Sequence, residues 1–450
     1  MLKRLIRSII PEPLIGVYHY VLARLAAFWY KNPSEELIVI GVTGTNGKST
    51  TVQFIGRLLE SCGERVGWTT TASFKVADRE WVNDKKMTML GRFQTQKLLR
   101  QMVEAGCRYA IVETSSQGLA QHRHVGIHYD VVAFTNLTPE HIEAHGGFEN
   151  YKQAKALLFK SLSESSRKVI DGHEIERSIV ANLDDVHTPF YLSFDLDRRY
   201  GCHWKDVSAE TLLLLNTTPF TAQNVLFEKG CTTFCASGLD WHLEPIGRFY
   251  LENALLAVTV CQALGFDLDT LRKGVEELRS VPGRLEKIDD GQPFTVIVDY
   301  AYEPAALGAV YEVLKLMDGT RVIHVVGSAG GGRDVARRSV LGQMSAEHDD
   351  IVIVTNEDPY DEDPMQIIND VADAAVCAGK QDGVNLYRIL DRQEAIDFAV
   401  SIAESYDLVL ITGKGSEPVM AVEDGKKIPW DDRTAVHRAL AKRYGNANIY

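Results

Sequence analysis

Along this chain, short unbroken apolar runs alternate with stretches whose apolar positions recur at helical spacing. Leu37-Ile38-Val39-Ile40 reads as a buried strand, and Thr51 to Glu60 behind it as a helix. Tyr109 to Val112 is a second buried strand, ending at Glu113. Asp130 to Phe134 is another, ending near Asn136, and Ser178 to Asn182 closes on Asp184 and Asp185. After Pro282-Gly283 a fresh unit begins, with strands at Thr295 to Val298, Val322 to Val326, Ile351 to Val354 and Leu408 to Ile411. This alternation is the signature of α/β domains built on parallel sheets. The chain therefore divides into an N-terminal helical or amphipathic segment at 1–36, a central domain at 37–282 and a C-terminal domain at 283–450. Ligands of open α/β sheets bind at the carboxyl ends of the strands. Glu113, Asn136, Asp299, Glu357 and Lys414 all sit at or just beyond such ends, which predicts an active site shared by two domains.

Between the first strand and its helix lies Gly41-Val-Thr-Gly44-Thr-Asn-Gly47-Lys48-Ser49-Thr50. Strand, glycine loop and helix are the context of a phosphate-binding loop, where backbone N–H groups and the helix N-terminus face the phosphates. Gly44, Thr45, Asn46, Gly47, Lys48, Ser49 and Thr50 are the expected nucleotide contacts. Lys48 would reach the terminal phosphates and Ser49 would ligate Mg²⁺. The spacing departs from G-x-x-x-x-G-K-[ST] at its first glycine, which falls on Val42. ATP or a close relative is the expected ligand.

Composition narrows the class. A chain of 450 residues exceeds one ordinary core. Its net charge of −13, with no long basic stripe, argues against nucleic acid as a partner. Seven scattered cysteines form no disulfide framework, and Cys231 with Cys235 lack a second pair for zinc, so a reducing cytoplasm is expected. Lys3, Arg4 and Arg7 precede an apolar stretch from Leu14 to Tyr30 that His19 and Arg24 interrupt. That stretch falls short of the roughly 20 residues needed to span a bilayer, and no small-residue cleavage site follows it. It reads either as a helix packed on the ATPase domain, the preferred reading, or as a basic amphipathic segment lying on a membrane surface through residues 1–30.

Taken together the motifs resemble the Mur ligases, ATP-dependent enzymes that add amino acids to peptidoglycan precursors, and among them the MurE branch. The matching segments are Thr43 to Thr50, Glu113-Thr-Ser-Ser-Gln-Gly-Leu119, Gln121-His-Arg123 and Asn136-Leu-Thr-Pro-Glu-His141. They continue through Tyr151-Lys-Gln-Ala-Lys155, Val281-Pro-Gly-Arg284-Leu-Glu286, Asp299-Tyr-Ala301, Gly413-Lys-Gly-Ser-Glu417 and Asp431-Asp-Arg433. Each is weak alone; their shared order and spacing are specific. The resemblance implies a P-loop ATPase central domain with a parallel sheet, followed by a Rossmann-like C-terminal α/β domain. It also implies a reaction. A substrate carboxylate attacks the γ-phosphate, and an incoming amine then displaces phosphate from the acyl phosphate.

The family pattern assigns roles residue by residue. Glu113 shares Mg²⁺ with Ser49, and His141 stands near a second metal. Lys155 is carbamylated, turning an ammonium into a carboxylate-like group that supports Mg²⁺ and catalysis. Asn136 and Asn253 lie near the nucleotide, and Arg284 and Asp299 reach ATP from the C-terminal domain. Thr88, Ser115, Ser116, Gln121 and Arg123 hold the muramyl-peptide acceptor. Arg333, Glu357, Asp358, Tyr360, Gly413 and Glu417 form the amino-acid pocket. A soluble monomer acting on small molecules in the cytoplasm is implied.

Two departures change the expectations. MurE proteins carry a whole N-terminal domain for the uridine nucleotide, whereas about forty residues precede the loop here. The acceptor could therefore be carried otherwise, for example on a lipid. The family's Asp-Asn-Pro-Arg, whose arginine marks diaminopimelate users, reads Glu357-Asp-Pro-Tyr360. Tyr360 cannot make a bidentate guanidinium–carboxylate contact, while Glu357 and Glu417 offer acceptors for an ammonium, which points to lysine or a similar diamino acid. Two alternatives are a folylpolyglutamate-synthetase-like ligase, which the segments at Ser115, Gln121 and Gly413 disfavour, and a nucleotide-binding subunit without ligase chemistry.

Overall fold

The computed structural model describes residues 12–85, 87–139, 145–228, 230–317, 319, 321–332 and 335–445. The chain forms two compact units, 1–278 and 279–450. The sequence expectations at His141 and Arg333 lie outside the described residues.

The first unit is organised by one nine-stranded sheet. Its strands are β1 (Ile38–Thr43), β2 (Val66–Thr69), β3 (Ser73–Val76), β4 (Arg79–Val82), β5 (Tyr109–Glu113), β6 (Val131–Phe134), β7 (Ser178–Asn182), β8 (Arg198–His203) and β9 (Thr218–Thr221). They lie in the order β9-β8-β7-β6-β1-β5-β2-β3-β4. All pairs are parallel except β2–β3 and β3–β4, which close the edge as antiparallel ribbons. Strand β1 sits between β5 and β6, with Ile40 opposite both Ile111 and Val131. It is buried along its whole length, as a parallel strand covered on both faces must be. Asp130 fixes the start of this arrangement: its carboxylate accepts the Val39 N–H at 2.7 Å and pairs with Lys168 at 2.5 Å.

The helix behind the phosphate loop runs from Lys48 to Ser61, three residues earlier than its apolar periodicity begins. Lys48-Ser49-Thr50 carries no apolar signal, yet it forms the first turn because Gly47, at φ 80°, turns the chain directly into the helix. A small three-stranded sheet, Gln223–Glu228, Cys231–Ala236 and Leu239–Leu243, is appended to this unit. The predicted apolar stretch near the N-terminus forms the helix Glu12–Trp29.

The second unit holds a six-stranded sheet made of β10 (Glu286–Ile288), β11 (Thr295–Val298), β12 (Val322–Val326), β13 (Ile351–Thr355), β14 (Leu386–Ile389) and β15 (Leu408–Ile411). The order is β10-β11-β15-β12-β13-β14, parallel apart from the β10 edge. Helices cover both faces, giving one core around Val296, Ile323, Ile396 and Val436 and another around Val352, Ile368 and Val371. This is the Rossmann-like arrangement that the sequence predicts.

Candidate active site

In the first unit the phosphate loop is braced from below by the loop after β6. Asn136 accepts the Asn46 N–H at its side-chain oxygen (2.9 Å) and returns its amide to the Asn46 carbonyl (3.2 Å). Its carbonyl also accepts the Thr45 N–H at 2.8 Å. Asn136 therefore positions the loop. Gly44 is obligatory here: at φ 151° any β-carbon would fall 1.8 Å from the Thr135 hydroxyl. Thr45 completes the brace, its hydroxyl 3.0 Å from that of Tyr151.

The chemistry-bearing groups converge on this loop. Lys48 Nζ donates to the Thr45 carbonyl at 2.5 Å. Ser49 Oγ donates to Glu113 Oε2 at 2.7 Å. Glu113 is buried, and its carboxylate is aimed by the N–H of Thr71 (2.7 Å) and the Thr71 hydroxyl (2.9 Å). That hydroxyl lies 2.9 Å from Thr88, which ties the expected acceptor residue Thr88 to Glu113 through one intermediary. The sequence reading missed Thr71, and it named Tyr151 only within the segment that leads to Lys155. Thr71 follows the end of β2, which parallel pairing sets beside the end of β5. A threonine run closing a buried strand was the available signal.

Three lysines share the helix Phe148–Ser163, and the fold separates them. Lys152 and Lys160 pair with Glu149 and Glu164. Lys155 is 1% exposed and donates to the Gly44 carbonyl at 2.6 Å. Asn253, on the helix Arg248–Ala263, accepts from the Thr51 hydroxyl at 3.1 Å, while its amide nitrogen is buried without a partner beside Gly47. A buried orphan donor at a phosphate loop is a ready contact for a nucleotide.

Around the expected acceptor residues, Ser115 caps the short helix Ser116–Ala120 by accepting the Gly118 N–H at 3.2 Å. Ser116 Oγ lies 3.0 Å from His145 Nε2. Arg123 holds the Gln121 side chain at 2.7 Å and also donates to the Met89 carbonyl.

In the second unit Glu357 and Asp358 follow β13, and Gly413 follows β15. Gly413, at φ 109°, has the Glu357 carboxylate 2.7 Å from where a β-carbon would stand. Burial pushes the Glu357 carboxyl above the usual range, opposed by the Arg337 guanidinium, and its Oε2 has no hydrogen-bond partner. Asp358 accepts Lys414 Nζ at 3.0 Å and the Ala421 N–H at 2.6 Å. The same buried Lys414 donates to Glu417, which also accepts the Tyr300 hydroxyl at 2.8 Å. The expectation of two carboxylates open to an ammonium is thus revised. Glu417 serves a lysine of its own chain, because a fully buried cation requires partners, whereas Glu357 Oε2 has no hydrogen-bond partner. Tyr360 adopts φ 54° and packs on Gly331. Asp299 accepts two backbone N–H groups, from Leu285 and Ala301, at 2.6 Å each, and burial raises its carboxyl against the pull of Arg284. The Arg284 guanidinium lies over the Tyr300 ring at 4.2 Å.

A phosphate loop with a Ser–Glu oxygen pair, on a parallel sheet, followed by a Rossmann-like unit, is a P-loop ATPase-like fold with a second α/β unit. The comparisons give the family. The Mur ligase middle domain matches residues 42–261 and the Mur ligase, glutamate ligase domain matches 283–415. This chain belongs to the Mur ligase family, whose members are ATP-dependent, Mg²⁺-using, amide-forming enzymes. It is 36% identical over 442 residues to the UDP-N-acetylmuramyl-tripeptide synthetase of Roseiflexus sp. (strain RS-1), covering 96% of this chain and 84% of that protein. It is 35% identical over 443 residues to the UDP-N-acetylmuramoyl-L-alanyl-D-glutamate--2,6-diaminopimelate ligase of Geobacillus kaustophilus (strain HTA426), covering 97% and 85%. Its relatives are therefore MurE-type. A solved 2,6-diaminopimelate ligase superposes with a TM-score of 0.59 at 28% identity, over 91% of this chain and 79% of that one. Mycobacterium tuberculosis folylpolyglutamate synthase superposes with a TM-score of 0.64 over 96% of each chain. At 18% identity that likeness shows the fold alone.

Proposed function

We propose that this chain uses ATP to join a diamino acid to the carboxylate of a muramyl-peptide acceptor through an acyl phosphate. The observation that carries the reading is the 2.7 Å pairing of Ser49 with Glu113 beside Lys48, with Lys155 buried against the same loop. Two hard oxygen donors, one of them a carboxylate, suit Mg²⁺, and a bound ion there would neutralise phosphate charge. Thr71 fixes the Glu113 carboxylate so that this donor set needs no rearrangement. Lys48 turns from the Thr45 carbonyl to the terminal phosphates when nucleotide binds. Asn253 supplies its unpartnered amide nitrogen to the nucleotide, Asn136 keeps the loop in shape, and Arg284 and Asp299 are nucleotide contacts in this reading.

Lys155 is the site of carbamylation in this reading. Burying an ammonium is costly, and the attack of its neutral amine on carbon dioxide, with loss of a proton, yields an anionic group facing the metal side of the loop. His141 would stand near a second metal, and Arg333 would hold the amino-acid carboxylate. Thr88, Ser115, Ser116, Gln121 and Arg123 would hold the acceptor. The open oxygen of Glu357 would receive the distal ammonium of the amino acid, while Tyr360 offers only a hydroxyl. Lysine is accordingly preferred over 2,6-diaminopimelate, whose second carboxylate would sit near Glu357. The enzyme acts as a monomer on small molecules in the cytoplasm, with peripheral membrane contact available through residues 1–30. Phosphate release measured with and without acceptor and amino acid tests the reading. Dependence on both supports it, and release indifferent to either contradicts it.

A further inference from the structure

The helix Glu12–Trp29 is packed in an unusual way. Among its described side chains the buried ones are alanines, Ala23, Ala26 and Ala27, and Ala27 lies close against Gly126. Six large side chains point outward instead: Val17, Tyr18, Val21, Leu25, Phe28 and Trp29 are exposed, the last two at 77% and 74%, while Ile15 and Leu22 are half-buried. At about 100° per residue these six fall within an arc of roughly 120°, opposite the alanine face. Exposed Arg24 borders the arc. Small residues allow the helix to lie close on its own domain, so the outward stripe is what a second surface would bury. A contiguous apolar patch rimmed by polar groups marks an interaction site.

Charge selects the occupant. Residues 1–34 contain Lys3, Arg4, Arg7, Arg24 and Lys31 against the single acid Glu12, in a chain of net charge −13. A second copy on this face would bring two like-charged segments together about a twofold axis. Anionic headgroups would complement them, and aromatic rings beside arginine suit the depth of a membrane interface. No helix among the described residues is long and apolar enough to cross a membrane, so the contact is with a surface. We propose that the outward face of this helix seats the enzyme on an anionic lipid bilayer. The other side of the helix meets the loop of Gln121 to Arg123, with the Tyr20 ring 6.4 Å from that of His122. Seating would hold this loop at headgroup level, within reach of an acceptor carried on a lipid; that consequence alone rests on the ligase reading.

The test is sedimentation of the full chain, without nucleotide or substrates, with vesicles of phosphatidylcholine alone or mixed with phosphatidylglycerol. Binding to the mixed vesicles, weakened by salt, is expected. The double variant Phe28→Ser, Trp29→Ser should bind at least about tenfold more weakly. Leu213→Ser with Leu214→Ser, an exposed apolar pair elsewhere, should bind as the parent does. Failure of the parent to sediment, or sedimentation unchanged by the Phe28 and Trp29 variant, overturns the proposal. So does a dimer in light scattering that the same variant dissolves, since the occupant would then be a second copy. Because no substrate is present, a failed ligase assay leaves this result standing, and the reverse holds as well.

Discussion

The phosphate loop and the Glu357 pocket are both made of buried polar groups, but they handle charge in opposite ways. Around the loop, carboxylate and hydroxyl oxygens face one another: Ser49 and Thr71 both donate to Glu113, which has no cation among those partners. In the second unit several buried acids already have their cation. Lys414 serves Asp358 and Glu417, and Arg392 grips Asp432 with two bonds of 2.8 Å. In the proposed reading the first arrangement receives a metal and a polyphosphate. In the second, Lys414 occupies Asp358 and Glu417 while Glu357 Oε2 has no hydrogen-bond partner, so in the proposed reading discrimination among amino acids falls on Glu357 and its immediate neighbours.

The largest expected effect breaks the first half of this comparison. Lys48→Ala should lower phosphate release at least about a thousandfold, since it removes a preorganised charge from the transferring phosphoryl group. Retention of parental release would sink the assignment of the loop. Next, Lys155→Ala should cost about a hundredfold, and bicarbonate or short carboxylic acids should restore part of the activity. A variant that works fully, with an unmodified lysine in a crystal of the parent, would remove the carbamate from the account.

Two smaller effects sharpen the second half. Glu357→Gln should raise KM for lysine about tenfold with kcat nearly unchanged, as loss of an ion-paired contact common to ground and transition states would do. The raised carboxyl of Glu357 must lose its proton before it can accept an ammonium. Parental KM should therefore fall as pH rises through that elevated value, and the Gln variant should lose this dependence. If KM responds identically in both proteins, Glu357 is not the group that titrates. The smallest change is Tyr360→Arg, which should move the kcat/KM ratio of lysine to 2,6-diaminopimelate by about tenfold toward diaminopimelate. Its left-handed backbone strains tyrosine and arginine alike, so stability should be nearly unaffected. An unchanged ratio would place the specificity elsewhere, with Arg337 the next residue to alter.

Most of the fold was legible because parallel strands buried on both faces are continuous apolar runs. Ser178–Asn182, Thr295–Val298, Val322–Val326 and Leu408–Ile411 match their predicted limits, and Ile351–Thr355 extends one residue further. The start of the loop helix was hidden because Lys48-Ser49-Thr50 is polar. The loop itself could be read because its residues are contiguous. Thr71 could not, since it meets Glu113 only through the pairing of β2 with β5. Nor could the occupation of Glu417, which depends on Lys414 being fully buried. The amphipathic N-terminal stretch was visible as a pattern, but not that its alanines would face inward.

The measurement that bears most directly on the account is a coupled assay of phosphate release and amide product, with ATP, Mg²⁺, a muramyl-peptide acceptor and lysine each omitted in turn. The account predicts one phosphate per amide, no release when either the acceptor or the amino acid is missing, and loss of both signals in Lys48→Ala. Steady ATP turnover without amide product, or release that continues without an acceptor, would contradict it.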